Sequence, residues 1–222
     1  MVLGLSQTKI KNRLIKSTTK RISENNAKEK ARQIIDYAKN SYPAVSANSI
    51  QTQKVQYYAT QLLHLIETKK QISNQMIEKA QQLPEFEILK SLPGIGAISA
   101  ALFIGEIGDL SRFANHKKVN AFIGIDIRRY QSGKYAGQDR INKRGNPKGR
   151  KILYLIIRNM IRQQKAAPNH IVDYYYKLKK QPTPKLDKVA TVACMNKLLK
   201  CIYSMFRNNT KYDYSHAVSM DQ

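Results

Sequence analysis

The sequence predicts a mainly α-helical protein: a long helical, coiled-coil arm, then a compact helical domain with a helix-hairpin-helix and at most a small β-hairpin. Three observations carry this. Val55, Tyr58, Leu62, Leu65, Ile72 and Met76 follow a heptad track broken only by Lys69, the pattern of a long helix with one apolar seam. The stretch LPGIG joins two apolar runs within residues 86–105, FEILKSLPGIGAISAALFIG. Asn146-Pro147 and Thr183-Pro184 each set a capping side chain before a proline, which is how helices start.

Taken in order, residues 9–40 read as one or more basic, polar helices. Ser41-Tyr42-Pro43 ends them, because the residue before a proline is pushed out of the helical region. A long helix is predicted from Ser49 to Gln82. Its seam fits a core seam within one chain or a seam between two copies. Pro84 closes it, and Gly4 is the only glycine before that point. We therefore divide the chain into a basic helical and coiled-coil region, 1–84, a domain, 85–214, and a flexible tail, 215–222.

In the second region an apolar helix is predicted to end at Leu92, and a small-residue helix follows Gly96. The helix from Asn146-Pro147 is predicted to reach Ala166. It sets Leu153, Ile156, Ile157 and Met160 on one face and Lys148, Lys151, Arg158 and Arg162 on the other. The helix from Thr183-Pro184 is expected to turn Leu186, Val189, Val192, Leu198, Leu199, Ile202 and Phe206 to the core. Cys194 and Cys201, without a CxxC pair, read as buried, reduced thiols.

Charge narrows the function. Lys+Arg number 39 against 15 Asp+Glu, a formal +24. Such an excess repels itself unless a polyanion compensates it, and nucleic acid is the usual compensator. Apolar runs such as Ile98–Ile104 are too short to span a bilayer, so no membrane partner is expected. The start, MVLGLSQTKIKNRL, lacks a secretory signal pattern. A cytoplasmic, nucleoid-associated bacterial protein is the expectation. His64, His116, His170 and His216 show no metal-ligand spacing.

Two stretches carry candidate chemistry. In Pro93-Gly94-Ile95-Gly96 the glycines permit a tight turn and leave the first amides of the next helix unscreened. Those amides and the helix dipole suit a phosphate oxygen. Gly94 and Gly96 are thus candidate DNA-backbone contacts, and an ordinary glycine turn is the plain alternative. The second stretch is 131–151, QSGKYAGQDRINKRGNPKGRK. Ser132 lies among Arg128, Arg129, Lys134, Arg140, Lys143, Arg144, Lys148, Arg150 and Lys151, with Asp139 the one opposing charge. Alternation on either side of Gly137 suggests a short β-hairpin. A serine that attacks a phosphodiester needs in-line placement, cations to neutralise the phosphate and an acceptor for its proton. Placement and cations are present, but no histidine is near and Asp139 is distant. From the residues alone, Ser132 is a nucleophile or a turn residue in a phosphate-binding loop.

These blocks occur in a familiar order. Pro93–Gly96 is followed by Glu106-Ile107-Gly108-Asp109, then by Ser111-Arg112-Phe113 and Ala121-Phe122-Ile123-Gly124-Ile125-Asp126. Gln131-Ser132-Gly133-Lys134 and Lys143-Arg144-Gly145-Asn146 complete the series. The series resembles the C-terminal transposase domain of the DEDD-type serine insertion-sequence transposases, the bridge-RNA-guided recombinases. The helical segment before residue 84 is similar to that family's coiled coil. The resemblance implies strand cleavage and rejoining with Ser132 as the catalytic nucleophile. It implies DNA contact by Arg128, Lys134, Arg140, Lys143, Arg144, Lys148 and Lys151. The implied partners are element-end and target DNA, a guide RNA, and a second copy paired through the coiled coil.

The family also carries an N-terminal RNase-H-like domain whose acidic residues bind Mg²⁺. No such pattern is found here: Glu24, Glu29 and Asp36 lie on no strand pattern. The expectation is no cofactor within this chain, with Mg²⁺ belonging to that absent domain. Ile127 stands where relatives commonly have a proline after the aspartate. The rival readings are a non-catalytic DNA- or RNA-binding remnant and a repair-type helix-hairpin-helix protein. The latter would need Glu106 or Asp109 beside the hairpin.

Overall fold

The computed structural model describes residues 4–18, 21–41, 45–46, 48–133, 135–137 and 139–219. The fold is mainly α, as the sequence predicts. The chain forms two compact units, 1–65 and 66–222. The long helix α3, Ile50–Ala80, runs through the division between them.

In the first unit the basic stretch forms two helices, α1 (Gln7–Ser17) and α2 (Glu24–Asn40). Each starts on a serine cap: Ser6 Oγ accepts from Lys9 N–H and Ser23 Oγ from Asn26 N–H, both at 3.3 Å. Ile10 of α1 and Ala27 and Ala31 of α2 are the buried residues of this pair, and the small alanine side chains let the helices approach closely. Lys11 and Glu24 pair at 2.6 Å. On α3, Val55, Tyr58, Leu62 and Leu65 are exposed, so this part of the seam is not a core seam within the described chain.

In the second unit, Met76, Ile77 and Ala80 of α3 join a core built by α4 (Pro84–Lys90), α5 (Ala97–Ile107), a 3-10 turn (Leu110–Arg112) and α6 (His116–Ile123). Four short strands follow: β1 (Ile127–Arg128), β2 (Gln131–Ser132), β3 (Tyr135–Ala136) and β4 (Arg140–Ile141). Then come α7 (Pro147–Gln163), α8 (His170–Lys180), α9 (Asp187–Asn208) and α10 (Tyr214–Ser219). Leu153, Ile156, Ile157 and Met160 of α7 are buried, as their spacing predicts. Helix α9 lies at the centre of the core, against α4, α6, α7 and α8, and buries Ala190, Cys194, Leu198, Leu199 and Ile202.

Several expectations change. Helix α9 is long and apolar enough, by length and composition, to cross a membrane, contrary to the reading that every apolar run is too short. Here those side chains form the core of the domain. The helix begins at Asp187, not at Thr183-Pro184. Lys185 N–H donates to Leu178 O at 3.1 Å and folds the preceding residues back against the end of α8. Leu186 and Val189, expected in the core, are 76% and 52% exposed. Cys194 is buried, and burial pushes its thiol up to about 12. Cys201, expected to be buried too, is half-buried, its thiol 3.6 Å from Met205 Sδ.

The C-terminal segment is tied to the domain. Tyr212 N–H donates to Ser91 Oγ at 2.8 Å, its ring stacks on His170, and its hydroxyl lies 2.7 Å from His170 Nδ1. The first turn of α9 is tied in turn to α7 and α8. Asp187 Oδ1 accepts from Tyr175 O–H at 2.6 Å and from Arg158 Nη1 at 3.0 Å. The tyrosine hydroxyl, and then the guanidinium, hold the Asp187 carboxyl below its usual 3.8. A carboxylate whose folded value is depressed stabilises the fold above its unfolded value and loses that contribution as pH falls through the folded one. Asp187→Asn is therefore expected to lower the melting temperature at neutral pH, with the gap to wild type closing below about pH 4. Thermal melts of both proteins across pH check this.

Candidate serine arm and nucleic-acid interface

The site begins where two backbones meet. Helix α6 ends at Gly124, in the left-handed region at φ +76°, with its N–H donating to Asn120 O and Ala121 O. A Cβ on Gly124 would lie 2.6 Å from Gly145 N, and one on Gly145 would overlap the carbonyl oxygen of Phe122. Only glycine at both positions allows this approach. Arg150 seals it: Nη1 donates to Ile123 O at 2.7 Å and to Gly145 O at 3.0 Å. The two segments then run antiparallel. Asn146 N–H donates to Phe122 O at 2.8 Å, Lys143 N–H to Gly124 O at 3.0 Å and Asn142 N–H to Asp126 O at 2.9 Å. Asn142 Nδ2 also donates to Asp126 Oδ2 at 3.2 Å.

Asn146 joins this base to α7. Its Oδ1 accepts from Lys148 N–H and Gly149 N–H at 2.9 and 3.1 Å, the predicted N-cap, and its Nδ2 donates to Glu106 Oε1 at 2.7 Å. Beyond the base the segments continue as a narrow β-arm. Ile127 pairs with Ile141 and Arg128 with Arg140; Gln131 then pairs with Ala136 and Ser132 with Tyr135. Gly137 N–H donates to Tyr130 O at 2.9 Å, which links the two ladders. The register slips by one residue between them, so the arm is one hairpin with a bulge. Its turn lies between Ser132 and Tyr135, with Gly133 at φ +55°, and not around Gly137 as the alternation suggests. Gly137 instead sits in the returning strand, where a Cβ would come within 3.3 Å of Tyr130 O.

This geometry puts Ser132 at the tip. It is the last paired residue before the turn, it is exposed, and its hydroxyl has no hydrogen-bond partner among the described residues. Ile125, fully buried, marks where the arm leaves the core. At about 3.3 Å per residue, Ser132 stands up to about 23 Å beyond it. Exposed Arg128 and Arg140 lie opposite one another along the arm, and exposed Lys143 and Arg144 lie at its base. Lys143 holds a left-handed backbone, φ +60°, unusual for a side chain of its kind. Lys148 and Lys151 continue the cations onto the first turns of α7. Lys134 lies outside the described residues. Asp139, on the returning side of the arm, is bonded to Arg129 at 3.2 Å.

The hairpin glycines are elsewhere. Gly94, φ +89°, faces α7 at Met160, where an added Cβ would lie 2.8 Å from the backbone nitrogen. Gly149, at the other end of α7, packs on Ile107. The glycine turn and the arm base therefore lie at opposite ends of α7, about 20 Å apart at 1.5 Å per residue. Gly96 caps α5 without a side-chain hydrogen bond, and nothing stands within 4 Å of where its Cβ would be. Arg158 drops out of the predicted cationic face, since it is paired with Asp187.

The carboxylates of the repair-type reading are also displaced. Glu106 lies at the far end of α5 from Gly96, bonded to Asn146. Asp109 caps the 3-10 turn, and the Ser111 hydroxyl and N–H hold its carboxyl below the usual 3.8. Neither is beside the hairpin. No group of three or more His, Cys, Asp or Glu able to hold a metal ion occurs among the described residues.

Sequence reasoning overlooked two arginines. Arg150 reads as one more cation of the cradle but points inward as a backbone clamp. Arg112 donates to Ile107 O at 2.7 Å and lies over the rings of Phe113 and Phe122, at 4.6 and 4.8 Å. Its place between an acid cap and a phenylalanine was the only available signal.

Residues 86–172, from α4 into α8, match the family described as Transposase IS116/IS110/IS902. The matched stretch, similar to a transposase domain, contains both the glycine turn and the serine arm. The chain is similar to a transposase for insertion sequence element IS1111A of Coxiella burnetii, 28% identical over 48% of this chain and 29% of that protein. It is also similar to the insertion element IS116 uncharacterized 44.8 kDa protein of Streptomyces clavuligerus, 25% identical over 80% of this chain and 43% of that one. It thus spans less than half the length of either relative.

The base of the arm makes a sharp prediction. Gly145→Ala should destabilise the second unit by about 2–4 kcal/mol, because a backbone must move. Gly105→Ala, in an exposed turn of α5 with nothing within 4 Å, should stabilise it by about 0.5–1 kcal/mol. Urea denaturation of the pair measures both.

Proposed function

We propose that this chain is a DNA-handling part of an insertion-sequence transposase that cuts and rejoins strands through Ser132. The observation that carries the reading is an exposed serine at the tip of a cation-lined arm inside the matched stretch. Ser132 Oγ attacks phosphorus; a P–Oγ bond forms and the bond from phosphorus to the leaving strand oxygen breaks. The serine proton leaves to solvent or to a group outside the arm, and the leaving oxygen takes up a proton. The phosphoserine ester retains the energy of the broken phosphodiester. A strand hydroxyl then attacks the same phosphorus, regenerates the serine, and needs no ATP. Arg128, Arg140, Lys143 and Arg144 neutralise the phosphate as charge builds on it. Lys134, Lys148 and Lys151 extend the grip on DNA backbone, and the amides behind Gly94 and Gly96 hold a second stretch.

Two partners follow from the same reading. The exposed apolar residues of α3, Val55, Tyr58, Leu62 and Leu65, suit pairing with a second copy. A guide RNA is the other, on the family resemblance. One observation favours a second reading, a non-catalytic DNA- or RNA-binding remnant. Asp139, the acid nearest to Ser132 in the arm's sequence, is held by Arg129.

The test is covalent trapping. The chain is incubated with labelled element-end DNA and Mg²⁺, denatured, and run beside Ser132→Ala. The proposal expects an adduct in wild type and none in the variant, with equal DNA affinity. An adduct that persists in the variant places the nucleophile elsewhere. Salt-sensitive binding with no adduct supports the remnant.

A further inference from the structure

A second cationic surface lies outside every residue assigned so far. Between α8 and α9 the chain reads KLKKQPTPKLDK from Lys177 to Lys188. Lys177, Lys180, Lys185 and Lys188 are exposed and form no ion pair among the described residues. Lys177, Lys179 and Lys180 lie in the last turn of α8, where the helix dipole favours cations, and Lys179 Nζ also donates to Lys185 O at 3.0 Å and closes the turn; Lys185 and Lys188 have no such helix-end role. Lys188 is placed against the local field. It sits in the first turn of α9, where the positive end of the helix dipole disfavours a cation. The one acid of that turn, Asp187, is already bonded to Tyr175 and Arg158.

The Arg158–Asp187 pair also fixes where this cluster lies. It joins the start of α9 to the solvent face of α7, the face that carries Lys148, Lys151 and Arg162. Helix α7 has no acidic residue. Its cationic face starts at the base of the serine arm and, from Lys148 to Arg162, runs about 21 Å at 1.5 Å per residue. The Lys180, Lys185 and Lys188 cluster adjoins its far half.

We infer that Lys180, Lys185 and Lys188 bind the phosphate backbone of duplex DNA flanking the phosphodiester held at the arm, with α7 as the track between them. The inference rests on the DNA reading given above. Duplex DNA is the occupant because the track leads from the arm, and the DNA entering the arm must continue somewhere. At about 3.4 Å per base pair the α7 face alone spans about six pairs.

The test compares three proteins on a 20-base-pair duplex by fluorescence anisotropy across a salt series. They are wild type, the triple variant Lys180→Gln/Lys185→Gln/Lys188→Gln, and the arm variant Lys143→Gln/Arg144→Gln. All five side chains are exposed, and circular dichroism verifies unchanged helix content. The triple variant is expected to bind about tenfold more weakly at low salt. The slope of log affinity against log salt should shrink by about two to three, near 0.9 for each phosphate left without its lysine. Wild-type affinity and slope in the triple variant, with the arm variant weakened, overturn this inference and leave the arm reading standing. A loss confined to a 20-nucleotide single-stranded RNA, with duplex binding intact, also overturns it. A wild-type protein that shows no salt-dependent DNA binding removes the DNA reading and this inference with it.

Discussion

Everything at the serine depends on one close contact, that of the Gly124 and Gly145 backbones under the Arg150 guanidinium. A two-stranded ribbon alone in water is marginal at best. This one gains its stability at the root, where α6 ends and α7 begins. There the chain leaves and re-enters the core within a few ångströms, and Asn146 ties the return to both α7 and Glu106. The bulge further out adds twist without releasing the pairing. An arm with a firm root can carry an exposed serine and a row of cations that would otherwise repel one another into disorder.

Helix α7 is the second constraint. One face is packed into the core through Leu153, Ile156, Ile157 and Met160, so its position is set by burial. Its N-terminus holds the arm and its C-terminal half receives the glycine turn at Met160. The two features that suggest contact with DNA are thus held at a fixed separation. Domain stability and spacing of the site come from the same buried side chains.

Much of this is legible in the sequence because local chemistry decides it. Asn146-Pro147 starts a helix, and the buried face of α7 follows from a 3.6-residue period. LPGIG marks the glycine turn, and the cationic run marks the arm. The failures have physical causes. Thr183-Pro184 has the form of a helix start, but the bond from Lys185 N–H to Leu178 O and the tie at Asp187 move the start downstream. Helices α6 and α8 are short and mixed in character, and tertiary packing defines them. The sequence points to Gly137 for the hairpin turn because both glycines suit one, and of the two only Gly133 takes the left-handed conformation. Arg150 is indistinguishable from its neighbours: a cation that clamps backbone and a cation that meets phosphate look alike in one dimension.

The central claim is that the serine arm is rigid at its root. Amide hydrogen exchange on the whole chain tests it most directly. The account predicts that the amides of Gly124, Asn142, Lys143 and Asn146 exchange only with global unfolding, while that of Gly137, far out on the arm, exchanges faster. Root amides that exchange as fast as Gly137 would contradict it, and the arm would then be a mobile loop with no fixed place for Ser132.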